Sequence, residues 1–248
     1  MTESVIVDSV SKHFKIANHR TIKRLSVNAV KGRKASRSFT ALQDISFKVE
    51  QGDSIALMGL NGSGKSTLLK LISGVMSPDE GKVWTRGRIA GLIEVGAGLH
   101  PDLTGRENIF LNGAILGMSE AEIRRKFDTI VAFSELEKFL DNETRQYSSG
   151  QFMRLAFAVA VHTDCDLFLI DEVLAVGDQP FRRKCLKRIM ELKREGRTMV
   201  YVSHSATQVR RVCERGIVLE AGRMVYEGSA VGAIKAIGYD TPDEVEDD

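Results

Sequence analysis

The chemistry this chain can do is concentrated in a few short runs. Residues 59–66 read Gly59-Leu60-Asn61-Gly62-Ser63-Gly64-Lys65-Ser66, which satisfies the spacing G-x-x-x-x-G-K-[ST]. Glycines so placed let successive backbone N–H groups turn inward as an anion nest. A helix opening at the end of the run adds the positive end of its dipole. Lys65 is then placed to reach the β- and γ-phosphates of a nucleotide, and the Ser66 hydroxyl to bind Mg2+. Asn61, Gly62, Ser63, Gly64 and Thr67 complete the expected nucleotide-contacting set. A ligand-free glycine turn is the competing reading; the buried-strand pattern before the run and the helical pattern after it weigh against that.

Further along, Leu167-Phe168-Leu169-Ile170 closes on Asp171 and Glu172. A strand buried on both faces that ends in Asp puts the carboxylate at the carboxyl edge of a parallel sheet, where ligands bind. Asp171 is the expected holder of Mg2+, often through water. Glu172 is the expected catalytic group, orienting and polarising an attacking water. About twenty residues upstream, Tyr147-Ser148-Ser149-Gly150-Gln151 precedes the helical run FMRLAFAVAVH. Small hydroxyl residues and a glycine at a helix start make a second anion site, although an ordinary Ser-capped helix has the same local pattern. His204 follows the apolar strand MVYV; taken alone, such a histidine is more often a surface or satisfied group.

Together these runs resemble the ATP-binding-cassette (ABC) ATPases. The order is the family's: phosphate loop, helical insert, a signature usually written LSGGQ (here YSSGQ), the Asp-Glu strand, then a histidine at a strand end. The resemblance covers about residues 5–228. It implies an α/β fold: a P-loop NTPase core with a mostly parallel sheet, an antiparallel β part and an inserted helical subdomain. It implies ATP and Mg2+ as cofactors. It also implies a second copy of the chain, so that Ser148, Ser149, Gly150 and Gln151 of one copy contact the γ-phosphate held by the loop of the other. His204 corresponds to the family's switch histidine, a catalytic position, and Asp178 sits where its D-loop crosses the dimer interface. Two positions depart from the pattern. Tyr147 and Ser149 replace Leu and Gly in the signature, a change that keeps the backbone N–H donors. No Gln stands where the family's Q-loop has one, and Glu94 is the candidate for that metal- and water-contacting place. For the aromatic that stacks on adenine, Phe14 fits best, with His13 and Phe39 as rivals and a core phenylalanine as the alternative.

The elements that must position these groups follow from pattern. Residues 5–10 read as a strand, 42–49 alternate like a half-buried strand, and 54–58 read as a buried one. A helix is expected at about 64–74 and a turn at 77–81. The stretch 94–160 reads as the helical subdomain, with capping boxes expected to open helices at Ser119 and Ser134. Beyond the Asp-Glu strand, a helix near 181–195, a strand at 198–202, a helix near 205–213 and a strand at 216–219 continue the alternation that argues for a parallel sheet. The nucleotide-binding domain is expected to span 1–240.

Composition narrows the class. With 43% hydrophobic and 27% charged residues, the 248-residue chain has the balance of a folded globular domain and ample material for a core. No run approaches the ~20 apolar residues of a membrane span, and the N-terminus lacks a leader's apolar core. The expectation is a chain on the cytoplasmic face of the membrane, held there by a partner. Cys165, Cys185 and Cys213 share no metal-ligand spacing and read as buried, inert thiols. Eight Lys/Arg and no acid fall within 15–37, whereas five of the last six residues are acidic, giving a basic insert and an acidic tail at 241–248.

Finer wording in the motifs narrows the resemblance. The run LIEVGAG leading to LTGRENI, with YSSGQ and DEVLAVGD, is similar to the ATPases that export lipid-linked cell-surface polysaccharides: O-antigen, capsule and teichoic acid. Some such members carry an additional C-terminal carbohydrate-binding domain, which is not expected here. The implied partners are an integral membrane permease and, through it, the glycan. An ATPase for another substrate (drug, lipid or small solute) and a cassette protein outside transport are the alternatives. The insert 15–37 suits an anionic membrane surface at about 1 kcal/mol per cation, or is a solvated loop. Nucleic acid is not an expected partner, since no aromatic residues interleave its cations.

Overall fold

The computed structural model describes residues 2–17, 36–92, 98–171 and 177–238. Glu94, Glu172, most of the basic insert and the acidic tail lie outside the described residues.

Two sheets organise the chain. Strands β1 (Glu3–Ala17), β2 (Ser36–Glu50) and β4 (Glu80–Thr85) form an antiparallel sheet in the order β2-β1-β4. The second sheet also contains β3 (Ser54–Met58), β5 (Ile89–Leu92), β6 (Leu167–Ile170), β7 (Thr198–Val202), β8 (Arg215–Glu220) and β9 (Arg223–Ser229). Its order is β5-β6-β7-β3-β8-β9, parallel except for the β8–β9 hairpin. Strands β3, β6 and β7 are buried along their whole length, because each has a strand on either side and layers over both faces; hence their uninterrupted apolar runs.

Alternation assigns the two faces. Ala56, Met58, Phe168, Ile170, Met199 and Tyr201 point into one core, with residues of α4 (Ser149–Val161), α5 (Gln179–Arg194), α6 (Ala206–Val212) and α7 (Ala230–Ala236). Ile55, Leu57, Leu167, Leu169, Val200 and Val202 point into the other, against α1 (Lys65–Ile72) and the antiparallel sheet. A third core joins α2 (Gly105–Ile115), α3 (Glu120–Ser134) and one face of α4. This is the α/β arrangement with an antiparallel part that the resemblance implies. Truncating a fully buried side chain such as Ile55 to Ala costs about 2–5 kcal/mol.

Several local expectations change. Strands β1 and β2 run further into the basic stretch than expected, to Ala17 and from Ser36. Ser134 does not open a helix. It is the last residue of α3, and Glu135 takes a left-handed C-cap at φ 61°, so the Ser-x-x-Glu spacing there caps nothing. Strand β4 follows the turn at 77–81 with five of its six residues exposed, so it shows none of the alternation that marks a strand. Ser119 does open α3, accepting a bond from the Glu122 N–H.

Candidate active site

The phosphate loop hangs between β3 and α1. Gly59 (φ 149°) and Gly64 (φ 109°) need glycine for space as well as conformation. A Cβ on Gly59 would lie 2.3 Å from the Leu219 carbonyl oxygen and 2.5 Å from Ser63 Oγ; one on Gly64 would lie 2.6 Å from Leu42 Cδ2 and 2.7 Å from the Ala41 carbonyl. The loop is therefore clamped between the end of β8 and the middle of β2. Lys65 is buried, and its Nζ donates to the Gly59 and Leu60 carbonyl oxygens at 2.6 and 3.0 Å. Ser63 is also buried, and its hydroxyl has no hydrogen-bond partner among the described residues. Asn61, Gly62 and Ser66 face solvent, and Thr67 is half-buried.

These features fit a nucleotide's phosphates. An orphaned buried hydroxyl, a cation held on loop carbonyls and a helix end headed by a left-handed glycine are what an anion would satisfy. For a metal, the described residues contain no cluster of three or more His, Cys, Asp or Glu. A site of one hydroxyl (Ser66) and one carboxylate (Asp171), completed by phosphate oxygens and water, matches the preference of Mg2+.

Asp171 and His204 reach the same sheet edge by register. Ile170 lies opposite Tyr201 and Leu57 opposite Val202 across adjacent parallel strands. Asp171 thus follows the end of β6, the 203–205 turn follows β7, and Gly59 follows β3, side by side at the carboxyl ends of three neighbouring strands. Gln208 organises the turn around His204. Its Oε1 accepts from Tyr201 Oη at 2.8 Å and Ser203 Oγ at 3.2 Å, while its N–H donates to Ser205 Oγ. Gln208 is not among the residues expected at the site, although a Ser at 205 with Gln at 208 is a recognisable helix start.

The signature residues occupy a different part of the molecule. Ser148 caps α4 with a complete capping box: its Oγ accepts from the Gln151 N–H at 3.2 Å and its N–H donates to Gln151 Oε1 at 2.9 Å. Ser148 and Ser149 are exposed and Gly150 is half-buried, in a helix whose flank packs on α2 and α3. Gln151 Oε1 and its N–H are engaged by the cap, so the residue also serves the helix start. Phe14 stands exposed on β1, opposite Phe39 of β2, with Lys12 Nζ 5.9 Å above its ring. Strand β2 is the one that touches Gly64, which puts this aromatic pair on the sheet flanking the loop. All three cysteines are buried, and burial pushes each thiol up to about 12.

Comparison with known proteins bears on the family and the fold. The family described as "ABC transporter" matches residues 42–175. The chain is 47% identical over 194 residues to the O-antigen export system ATP-binding protein RfbB of Klebsiella pneumoniae, covering 78% of this chain and 79% of that protein. It is 45% identical over 227 residues to the RfbB of Myxococcus xanthus, covering 89% of this chain but only 52% of the relative, about half its length. It is 40% identical to the teichoic acids export ATP-binding protein TagH of Listeria monocytogenes, over 89% of this chain and 65% of that protein. Among solved structures, the dimeric post-hydrolysis state of the ATP-binding cassette MJ0796 bound to ADP and Pi superposes with a TM-score of 0.73 at 25% identity, over 91% of this chain and 98% of that one. An ATP-binding subunit of an ABC transporter superposes with a TM-score of 0.75 at 26% identity, over 94% and 93%. A family match over more than half the chain and relatives above 40% identity lead to one conclusion: this chain belongs to the ABC transporter family.

Proposed function

We propose that this chain is the ATP-hydrolysing subunit of an exporter that moves lipid-linked cell-surface polysaccharide across the cytoplasmic membrane. Two copies close on two nucleotides, and a separate membrane permease carries the glycan. The observation that carries the reading is a division of labour. The phosphate loop, Asp171 and His204 share one sheet edge, whereas the capped helix start at Ser148 belongs to the helical part. One copy so built presents half a site twice, and a second copy completes both. No helix among the described residues is long and apolar enough to cross a membrane, which fits a subunit that relies on a permease. The export-protein names of its relatives support the substrate class.

In this account Lys65 leaves the Gly59 and Leu60 carbonyls to meet the β- and γ-phosphates, and the loop N–H groups bind their oxygens. Ser66 and Asp171 would hold Mg2+, which when bound neutralises phosphate charge; Glu94 is a further candidate for its surroundings. Glu172 positions the attacking water and accepts its proton, and His204, held by the Ser203–Gln208 turn, hydrogen-bonds the γ-phosphate. Ser148 and the Ser149 and Gly150 N–H groups engage the other copy's γ-phosphate, so hydrolysis dissolves the contact that closed the pair. The stretch 15–37 offers cations to anionic headgroups.

The test is made in cells lacking the chain. The unaltered chain should restore surface polysaccharide. Lys65→Ala should leave the glycan inside, still attached to its lipid carrier. Normal surface glycan with Lys65→Ala would refute an ATP-driven role in export.

A further inference from the structure

The approach to Ser148 is welded to the start of α2. Four backbone hydrogen bonds run between residues 101–106 and 140–145: Gly105 N–H to Asn142 O, Arg106 N–H to Leu140 O, Thr144 N–H to Leu103 O and Arg145 N–H to Pro101 O, the first and third pairing Thr104 with Glu143 in an antiparallel bridge. Asn108, fully buried, adds side-chain bonds on both sides. Its Oδ1 accepts from the His100 N–H at 2.7 Å, and its Nδ2 lies 3.0 Å from the His100, Leu103 and Thr104 carbonyls and 3.2 Å from Thr144 Oγ1. Tyr147 completes the weld. Its phenol crosses over Gly105, where a Cβ would lie 2.2 Å from the hydroxyl oxygen, and donates to the Phe139 carbonyl at 2.7 Å.

We propose that Tyr147 is a positioning residue for ATP hydrolysis: wedged over Gly105, it sets the angle at which Ser148 and the first turn of α4 are presented to the nucleotide of a second copy. This rests on the reading of 147–151 as the helix start that completes the partner's site. Tyr147 is the residue immediately before the N-cap, so its backbone at φ −74°, ψ 144° directs the chain into the helix. A smaller apolar residue at 147 fills less of the space above Gly105 and makes no bond to Phe139. Any side chain at 105 would collide with the Tyr147 hydroxyl, so the two positions are coupled. Tyr147 touches no nucleotide in its own copy, where the loop at 59–66 does the binding. Its loss acts on turnover and leaves the affinity of a single copy for nucleotide unchanged.

The experiment measures ATP turnover and nucleotide binding for Tyr147→Phe, Gly105→Ala, the double variant and Ser148→Arg. Misplacing a contacting group by about 1 Å can cost roughly 100-fold in rate, so a shift of about half that size is expected to cost roughly tenfold. Gly105→Ala should lose at least that, and Tyr147→Phe a few-fold, each with nucleotide affinity within about twofold of the unaltered chain. The double variant should be faster than Gly105→Ala alone, because removing the hydroxyl takes away the worst clash and leaves the methyl 3.1 Å from the Leu140 carbonyl oxygen and 3.2 Å from Tyr147 Cζ. If Gly105→Ala does not fold, the few-fold loss in Tyr147→Phe at unchanged affinity carries the test. Unaltered turnover in Tyr147→Phe, or losses that simply multiply in the double variant, overturns the proposal. Full turnover by Ser148→Arg would instead overturn the reading beneath it.

Discussion

Arg154 Nη2 lies 2.7 Å from Asp178 Oδ1, and the same guanidinium reaches Glu135 Oε2 at 2.7 Å and stacks 4.6 Å from the Phe181 ring. Arg154 is on the helix that Ser148 opens, and Asp178 caps the helix that follows residues 172–176. One side chain thus ties the signature helix to the segment leaving the Asp-Glu strand, and to the end of α3. Lys184 and Arg154 together hold the Glu135 carboxyl below its ordinary range.

Asp178 serves both as helix cap and as charge partner, and substitutions separate the roles. Asp178→Ala loses both and should cost about 1 kcal/mol of stability, roughly a 3 °C drop in melting temperature for a chain of this size. Asp178→Asn keeps a capping oxygen and should melt within about 1 °C of the unaltered chain. Asp178→Ala should lose turnover, and Asp178→Asn, whose remaining oxygen can still accept from Arg154, should lose less. Full turnover in Asp178→Ala would make the contact a matter of helix stability alone.

Much of this was legible beforehand because periodicity and motif spacing are local. Leu167–Ile170 read as a buried strand since nothing interrupts its apolar run, Thr198–Val202 read as a strand, and both stand at those bounds. The loop at 59–66 was legible because glycines with forced conformations leave a spacing. Edge elements were not. β4 exposes most of its residues, and β9 alternates half-buried with exposed ones, so neither shows a core pattern. The Ser-x-x-Glu run at 134–137 misled because a capping box needs a helix after it, whereas α3 had already filled that space. The weld between 101–106 and 140–145 joins segments some forty residues apart, beyond any local signal; Tyr147 registered only as a departure from LSGGQ.

Lys65→Ala removes the cation buried beneath the loop. A charge-assisted hydrogen bond is worth roughly 1.5–3 kcal/mol, so nucleotide affinity should fall about 10- to 100-fold by equilibrium titration. Affinity within twofold would mean that Lys65 stays on the Gly59 and Leu60 carbonyls in the bound state.

The thiols should be silent in the folded chain. Burial raises Cys165, Cys185 and Cys213 to about 12, so at pH 8 a thiol reagent should label almost none of them until denaturant is added, then all three. Because the folded values lie above the unfolded ones, the thiols' contribution to stability is complete below about pH 9 and is lost as pH rises towards 12. Rapid labelling of the native protein would contradict their burial.

Glu122 joins α3 to the rest of the chain. Burial pushes its carboxyl up, but the bonds from Arg88 Nη1 (2.9 Å) and the Asp164 N–H, with the charges of Arg88 and Lys126, bring it below its ordinary value. Its stabilising contribution is therefore present above the unfolded value near 4.5 and is lost as pH falls through the lower folded one. Glu122→Gln should cost about 1–3 kcal/mol at pH 7, by denaturant unfolding, and the difference from the unaltered chain should shrink at pH 3. A difference independent of pH would assign the loss to packing.

In the proposed mechanism two copies close on ATP through residues each lends the other. Size-exclusion chromatography of Glu172→Gln, with and without ATP and Mg2+, tests it most directly. Slowed hydrolysis should leave the closed pair standing, so the protein should run as a dimer with ATP and as a monomer without it. Adding Ser148→Arg to Glu172→Gln should abolish the ATP-dependent dimer, since the large cation blocks the helix start proposed to meet the other copy's phosphate. A Glu172→Gln chain that hydrolyses ATP at the unaltered rate, or an ATP-dependent dimer indifferent to Ser148→Arg, would rule out sites shared between copies.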